Sequence, residues 1–399
     1  MMTDCVVVGA GPAGLATSVA LTRLGVDHLI LERSQAGNTW RTQRWDTFRL
    51  NTPGWMNQLL GEQARYAYAD RAEVVQRLEQ LASSSPIHIG IRLTRLAPAG
   101  KGYALHTSNG ELRSRTVVVA TGDQNVPRIP ALARRLADRV AQYHTADYAG
   151  PAQLPEGAVL VVGSAQSGCQ ITEDLLFAGR RVVLATSPAP RLPWRHRGRD
   201  SLEWLTDAGF WNQRPQDLPD PAAMRASQPI VAPGGRSLSL QSLARAGATL
   251  VGRLLGGAGE RLDFDNSAKA NVAAGDAGAE RMRSTMDDFI RRNGLEASPA
   301  EPDATDAPVQ LDPPTTLDMR DHDVGSVVWC TGFTGDFSWL NPSVLDSDGR
   351  PPREGIAAVE PGLWFVGLRW LAQRSSGIFF GFPRDAAAVA DAVKAHLNG

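Results

Sequence analysis

The thirty residues from Asp4 to Arg33, DCVVVGAGPAGLATSVALTRLGVDHLILER, decide how the rest of the chain is read. Cys5-Val6-Val7-Val8 is a short, β-branched apolar run, which predicts a buried strand. Gly9-Ala10-Gly11-Pro12-Ala13-Gly14 follows with G-x-G-x-x-G spacing. Leu15, Val19 and Leu21 to Leu24 then give a helix its apolar positions, with Gly25 to end it. A second apolar run, Leu29-Ile30-Leu31, closes on Glu32 and Arg33. The glycines differ in what they do. Gly9 permits the strand-to-helix turn, Gly11 admits a pyrophosphate to the backbone, and Gly14 lets helix and sheet touch. Pro12 opens the helix without an N–H of its own, and the bare N–H groups that follow, Ala13's first, face phosphate. Glu32 lies 18 residues beyond Gly14 (32 − 14 = 18), where a carboxylate accepts from a ribose diol. Strand, glycines, helix, strand and acid in one unit predict a dinucleotide site.

Outward from this unit, 399 residues are enough for two domains. Lys and Arg (41) nearly cancel Asp and Glu (42), so no global field steers the chain to nucleic acid or an anionic membrane. Cys5, Cys169 and Cys330 form no C-x-x-C pair and no metal-spaced cluster, which points to a reducing, cytoplasmic setting without a dithiol centre or a metal. A first strand beginning by residue 5 leaves no room for a leader peptide, and no apolar run of about 18 residues exists to span a bilayer. The expectation is a cytoplasmic enzyme, monomer or homodimer, meeting a small molecule.

Residues 33–65 are polar, aromatic and rich in turn formers. Trp40, Trp45, Phe48 and Trp55 argue against disorder, and the stretch reads as a loop layer folded over a cofactor. Asn38, Thr39, Arg49, Asn51 and Thr52 are its candidate polar contacts; the alternative is that the tryptophans staple a long loop to the core. Residues 71–82 carry apolar side chains at 74, 75, 78 and 81, an amphipathic helix. Strands are expected over 88–93, 103–107 and 116–120, the last leading into Thr121-Gly122.

A second unit opens at Ala158. Val159 to Val162 is strand, and Gly163-Ser164-Ala165-Gln166-Ser167-Gly168 repeats the spacing with alanine in the middle. The next strand ends on Ala185-Thr186-Ser187, with no carboxylate for a ribose, while Arg180, Arg181, Arg191 and Arg195 lie around it. A phosphorylated ribose suits that environment, favouring NADPH over NADH. Helical pieces broken by Pro and Gly follow Trp194, a helix is expected over 282–292, and 297–314 reads as a linker. The run 324–329 returns to strand and leads into Thr331-Gly332, echoing Thr121-Gly122. Ser375 to Gly381, with Gly377 and Phe379, approaches a terminal helix over 385–397.

Taken together, GAGPAGL (9–15), GNTWR (37–41), WDTFRLNTP (45–53), VVVATG (117–122), HTADY (144–148), GSAQSGCQITEDL (163–175), RHRGRD (195–200), VVWCTGF (327–333) and GLWFVGLRWL (362–371) resemble the flavin-containing, or class B, monooxygenases, in their bacterial CzcO-type branch. The resemblance implies an α/β fold of two Rossmann-like domains arranged as in glutathione reductase. An FAD domain would comprise 1–125 and 320–399, with an NAD(P)H domain, 126–319, inserted and itself carrying a helical insertion at about 200–310. The first glycine motif and Glu32 would hold FAD, Trp40 and Asn51 would lie near its ring with Thr52 beside them, and the second motif would hold NADPH. The implied activity is insertion of one atom of O2 into a small molecule through a flavin C4a-(hydro)peroxide. The alternative is an FAD-dependent oxidase or dehydrogenase with a vestigial second site. Asp138 and Val140 stand where the family's Baeyer–Villiger fingerprint has Phe and Gly, which speaks against that subclass.

Overall fold

The computed structural model describes residues 2–220, 223, 224, 226–351 and 355–399. The first unit folds as the sequence requires. Strand Met2–Val8 runs into helix Pro12–Arg23 and returns through strand His28–Glu32, parallel to the first. Residues 5–8 are buried because this strand is central, flanked by His28–Glu32 and by Gly110–Val119. Ile87–Ile89 extends the sheet on one side, while Gly102–Thr107 and Leu93–Ala99 form an antiparallel arm on the other. Leu363–Phe365 adds a parallel strand against residues 117–119. The helix expected over 71–82 spans Arg71–Ser83 and begins with a capping box: Asp70 accepts from Glu73 N at 2.9 Å, and Glu73 accepts from Asp70 N at 2.8 Å.

The second sheet is all parallel, in the order Thr249–Val251, Val182–Ala185, Ala158–Val162, Val324–Trp329, Ala141–His144. Its inner strands Ala158–Val162 and Val182–Ala185 are buried throughout and are continuous apolar runs, as parallel strands covered on both faces require. Val324–Trp329 is therefore a central strand of the second domain, and the division expected at 319/320 falls too early. The chain leaves this sheet only at Cys330, whose N donates to Val162 O at 2.9 Å. The segment 200–310 also differs from a helical insertion. Thr249–Val251 is a strand of the main sheet, and Leu254–Ala258 with Arg261–Phe264 forms a hairpin that Thr316–Asp318 extends.

The helix expected over 282–292 is longer, Ala268–Arg292. Its first half packs by small residues rather than by an apolar stripe. A Cβ on Gly278 would stand 2.7 Å from Pro190, so glycine is what lets the segment around Pro190 and Arg191 lie against the helix. The terminal helix, Phe382–Asn398, lies on the first helix with Val389, Ala390 and Val393 buried, and Lys394 Nζ donates to Leu24 O at 3.0 Å.

His144, a residue whose sequence neighbours suggest a surface loop, is 1 % exposed at the crossover between the sheets. Its Nδ1 accepts from Ala146 N at 3.1 Å, so Nε2 carries the proton and donates to Gly332 O at 3.0 Å. Burial holds its pKa below the ordinary 6.5, against the opposing pull of the Gly332 carbonyl and Asp147. The unfolded imidazole takes up a proton more readily than the folded one, so this stabilisation is complete above pH 6.5 and is lost as the pH falls below it. His144→Gln should accordingly flatten the decline in melting temperature on acidification from about pH 7 to about pH 5.

Candidate functional site

The two glycine turns are built alike. In the first, Gly9 N donates to Leu31 O at 2.8 Å; in the second, Gly163 N donates to Ala185 O at 2.9 Å. Both glycines hold positive φ, +108° and +106°, and each leaves room for the backbone of the next strand's end, Ala120 in one unit and Cys330 in the other. Gly14 and Gly168 have no room for a side chain: a Cβ would lie 2.0 Å and 1.7 Å from the carbonyl oxygens of Gly9 and Gly163. Gly11 differs. It caps the first helix in extended backbone, and a Cβ there would meet nothing within 4 Å. Ala165 occupies the corresponding place in the second unit, also extended and also without a side-chain cap. An alanine is thus as compatible with this backbone as a glycine.

The first turn opens on a cleft of about 1350 Å³, counting its open mouth. The cleft gathers Gly9, Gly11, Pro12, Ala13, Glu32, Arg33, Asn38, Thr39, Trp40, Thr121, Gly122 and Gly377, so four distant stretches of sequence meet there. Gly14 lies beneath it as a packing residue. Glu32 is already oriented: Oε2 accepts from Ala10 N at 2.9 Å and Oε1 from Ser34 N at 2.8 Å. Each oxygen keeps lone pairs for a diol. The Thr121 hydroxyl and Asn125 Oδ1 are buried there without a partner among the described residues, as groups awaiting a polar ligand would be.

Sequence reading missed Arg44, which lines the same cleft. Its guanidinium lies 4.7 Å over Trp40 and 5.5 Å over Phe48, and Nη1 donates to Gln43 O at 2.7 Å. No carboxylate balances it among the described residues, and burial pushes its pKa down to about 10. A desolvated cation at the rim of a phosphate cradle complements an anion. The usable signal was its place four residues after Trp40. Asp336 and Trp339, also on the cleft, arrive from beyond the crossover, where no motif marks them.

Several expected contacts lie elsewhere. Arg49 is exposed and donates to Tyr68 O at 3.1 Å. Phe379 is buried behind the cleft wall, edge-on to Trp40 at 5.1 Å. Thr52 closes a local turn, its hydroxyl donating to Asn57 Oδ1 at 2.9 Å; Asn51 beside it is half-buried and outside the cleft. Thr331 donates to Arg128 O and Gly332 accepts from Arg128 N at 3.0 Å, so this Thr-Gly turn braces the crossover. Of the four tryptophans and phenylalanines in the loop layer, only Trp40 reaches the cleft. Trp45 is a core residue of the second domain and Trp55 packs in a separate aromatic cluster, so neither touches the cleft. The loop also ties the domains together: Thr47 donates to Asp174 Oδ1 at 2.6 Å, and Asp174 is held in place by Tyr148, which donates to its Oδ2 at 2.6 Å.

At the second turn the side chains are largely committed to the fold. Ser164 Oγ donates to Ser187 O and accepts from Ser187 N, while Gln166 bonds both N and O of Val231. What remains for a ligand is backbone: half-buried Gly163, Ala165 and Ser167 at the helix start. Arg191, expected as a phosphate contact, is 2 % exposed and pairs with Asp276 at 2.8 Å and with Asp306. Arg180 serves main-chain carbonyls from Pro151 to Gly157, and Arg181 pairs with Asp323. Arg195 is exposed, over the Trp194 ring at 5.3 Å, and no carboxylate pairs with it among the described residues. Arg191→Met should therefore cost stability, about 2 kcal/mol because the stranded carboxylates can turn to solvent. It should leave the NADPH to NADH ratio of kcat/KM unchanged; urea unfolding and cofactor kinetics check the two halves.

Known proteins resemble this chain in sequence and in fold. The sequence model of a family described as pyridine nucleotide-disulphide oxidoreductase matches residues 6–206. An uncharacterized CzcO-like oxidoreductase of Geobacillus kaustophilus (strain HTA426) is 28% identical over 394 residues, 96% of either chain. An indole-3-pyruvate monooxygenase of Oryza sativa subsp. japonica is 31% identical over 185 residues, 44% of this chain and 46% of that one. Among solved structures, a flavin-containing monooxygenase from Stenotrophomonas maltophilia superposes with a TM-score of 0.62 at 21% identity, covering 99% of both chains. That likeness shows the two-domain α/β fold expected from sequence.

Proposed function

Because the chain belongs to the pyridine nucleotide-disulphide oxidoreductase family, whose model spans 201 of its 399 residues (206 − 6 + 1 = 201), we propose that it is an FAD- and NADPH-dependent monooxygenase of a small organic molecule. The observation that carries the reading is the pair of like-built glycine turns, each at the end of a parallel strand and each opening a helix without a side-chain cap. FAD bound in the first cleft would supply the redox chemistry, taking hydride from NADPH and passing electrons to O2. Gly11 and the first turn of helix Pro12–Arg23 would receive its pyrophosphate, Arg44 would neutralise it, and Glu32 would hold the ribose. Thr121 and Asn125 would bond the remaining polar edge, and Leu93 and Trp339 give the cleft an apolar side for a base.

Trp40, which lines the cleft and is backed by Phe48 and Phe379 packed behind it, would help exclude water from the cleft, as an oxygen-transferring site requires. Disulfide exchange, part of the family's name, has no support here. All three thiols are free, and burial pushes Cys5 and Cys330 up to about 12 and Cys169 in the same direction. None offers a thiolate near neutral pH.

The decisive experiment reduces purified holo-protein with NADPH without air, admits O2, and assays products against amines, thioethers, ketones and aromatic acids. Bleaching of the flavin by NADPH and an oxygenated product are expected. Flavin that NADPH fails to bleach but an organic substrate bleaches would transfer the protein to the oxidase or dehydrogenase class.

A further inference from the structure

Three indole N–H groups that do not line the nucleotide cleft, those of Trp55, Trp211 and Trp370, are buried without a hydrogen-bond partner among the described residues. They belong to one aromatic cluster. Phe380 meets Trp55 edge-on at 6.2 Å and Trp211 at 6.4 Å, and Trp211 meets Phe210 at 5.1 Å. Trp370 is joined to them by a cation: Arg374 lies 4.1 Å over the Phe210 ring and 4.5 Å over the Trp370 ring. Trp370 is 1 % exposed and holds φ +57°, a left-handed backbone that is costly for so bulky a residue. Strain of this kind persists where the surrounding fold over-determines it, commonly at ligand sites.

Among the described residues no carboxylate pairs with Arg374. Its Nε and Nη2 both donate to Gln213 Oε1, at 3.0 and 2.7 Å, and Nη1 donates to no described residue. Gln213 is neutral and orients the guanidinium without balancing it. Burial alone moves the Arg374 pKa, down to about 10. The backbone is fixed as well: Arg374 N donates to Gln213 O at 2.8 Å and Ser375 N to Trp211 O at 3.2 Å. A planar fork held rigid by Gln213, stacked between the Phe210 and Trp370 rings and half-buried, with Nη1 unpaired among the described residues, suits capture of a carboxylate.

The cluster shares a wall with the nucleotide cleft. Gly377 lines the cleft, Phe379 packs on Trp40, which also lines it, and Phe380, the next residue, turns to Trp55 and Trp211. We propose that Arg374 binds the carboxylate of the substrate, an aromatic or otherwise flat apolar acid whose body lies against Trp55, Trp211 and Phe380. The word substrate rests on the monooxygenase reading above; the acid site itself does not.

Holo-protein is titrated with 3-phenylpropionate and with its uncharged amide, 3-phenylpropionamide, by calorimetry. The acid should bind at least tenfold more tightly. Arg374→Met should abolish that preference and leave amide binding unchanged, and Arg374→Lys should retain part of it. Gln213→Glu, which gives Arg374 an internal carboxylate while preserving shape, should remove the preference in a protein that still melts cooperatively and keeps its flavin. Equal affinity for acid and amide, no binding of either to the wild type, or unchanged acid binding by the Gln213→Glu variant would each overturn the proposal and return Arg374 to the role of an aromatic staple. Flavin reduction by NADPH is measured on the same samples. If it fails while the acid preference stands, the monooxygenase reading falls and the carboxylate site remains.

Discussion

Gly14→Ala should yield no soluble first domain, whereas Gly11→Ala, three residues earlier, should fold like the wild type and purify without flavin. The contrast follows from where each missing methyl would go. On Gly14 it would stand 2.0 Å from Gly9 O and 3.2 Å from Ala120 Cβ. Gly9 cannot retreat, because its N is bonded to Leu31 O inside the sheet. Overpacking against fixed backbone costs on the order of 4 kcal/mol here, a large part of a domain's whole stability. At Gly11 the backbone is extended (φ −78°, ψ −178°), open to any residue, and nothing lies within 4 Å. Alanine there should shift the apo-protein's urea midpoint by no more than about 0.5 kcal/mol in equivalent stability. It should weaken FAD by about a hundredfold, because the methyl occupies pyrophosphate space. Retention of flavin by the Gly11→Ala protein would place the cofactor somewhere other than this cleft.

Arg44→Met should separate stability from cofactor affinity in the opposite sense. In the apo-protein Arg44 is a half-buried cation stacked on Trp40 with no carboxylate, and its pKa falls to about 10. Because the folded pKa is below the unfolded 12.5, the folded state carries this destabilisation at every pH below about 10 and is relieved of it only above. Methionine keeps the apolar contact with Trp40 and removes the charge, so the apo-protein should unfold at equal or higher urea. FAD should lose a charge-assisted pair of about 1.5–3 kcal/mol, a ten- to hundredfold weaker dissociation constant. Flavin release by dialysis and apo-protein melting, measured side by side, check both signs.

The first unit was legible because everything it needs is local. Strand, turn, helix and Glu32 lie within thirty residues, and each glycine answers a steric demand set by its near neighbours. The second unit was legible for the same reason, even with Ala165 in the middle, since an extended helix-cap position accepts alanine as readily as glycine. Arg191 shows where such reading fails. Its sequence position beside the nucleotide strand gave no hint of Asp276 and Asp306, 85 and 115 residues away, which hold it inside the protein. The helix Ala268–Arg292 was half seen, because an alanine- and glycine-lined face carries no apolar period. The domain boundary was misplaced because a buried parallel strand reads the same whichever sheet it joins.

The sequence by itself determined the two glycine turns, the strands that carry them and the order in which they occur, all consequences of backbone sterics over a few residues. Tertiary structure alone decided which charges are free. Arg180, Arg181 and Arg191 are spent on the fold, while Arg44 and Arg374 are left desolvated and without a carboxylate among the described residues. The physical reason is that a charge's availability depends on what lies within a few ångströms of it, and for these side chains those neighbours come from distant parts of the chain.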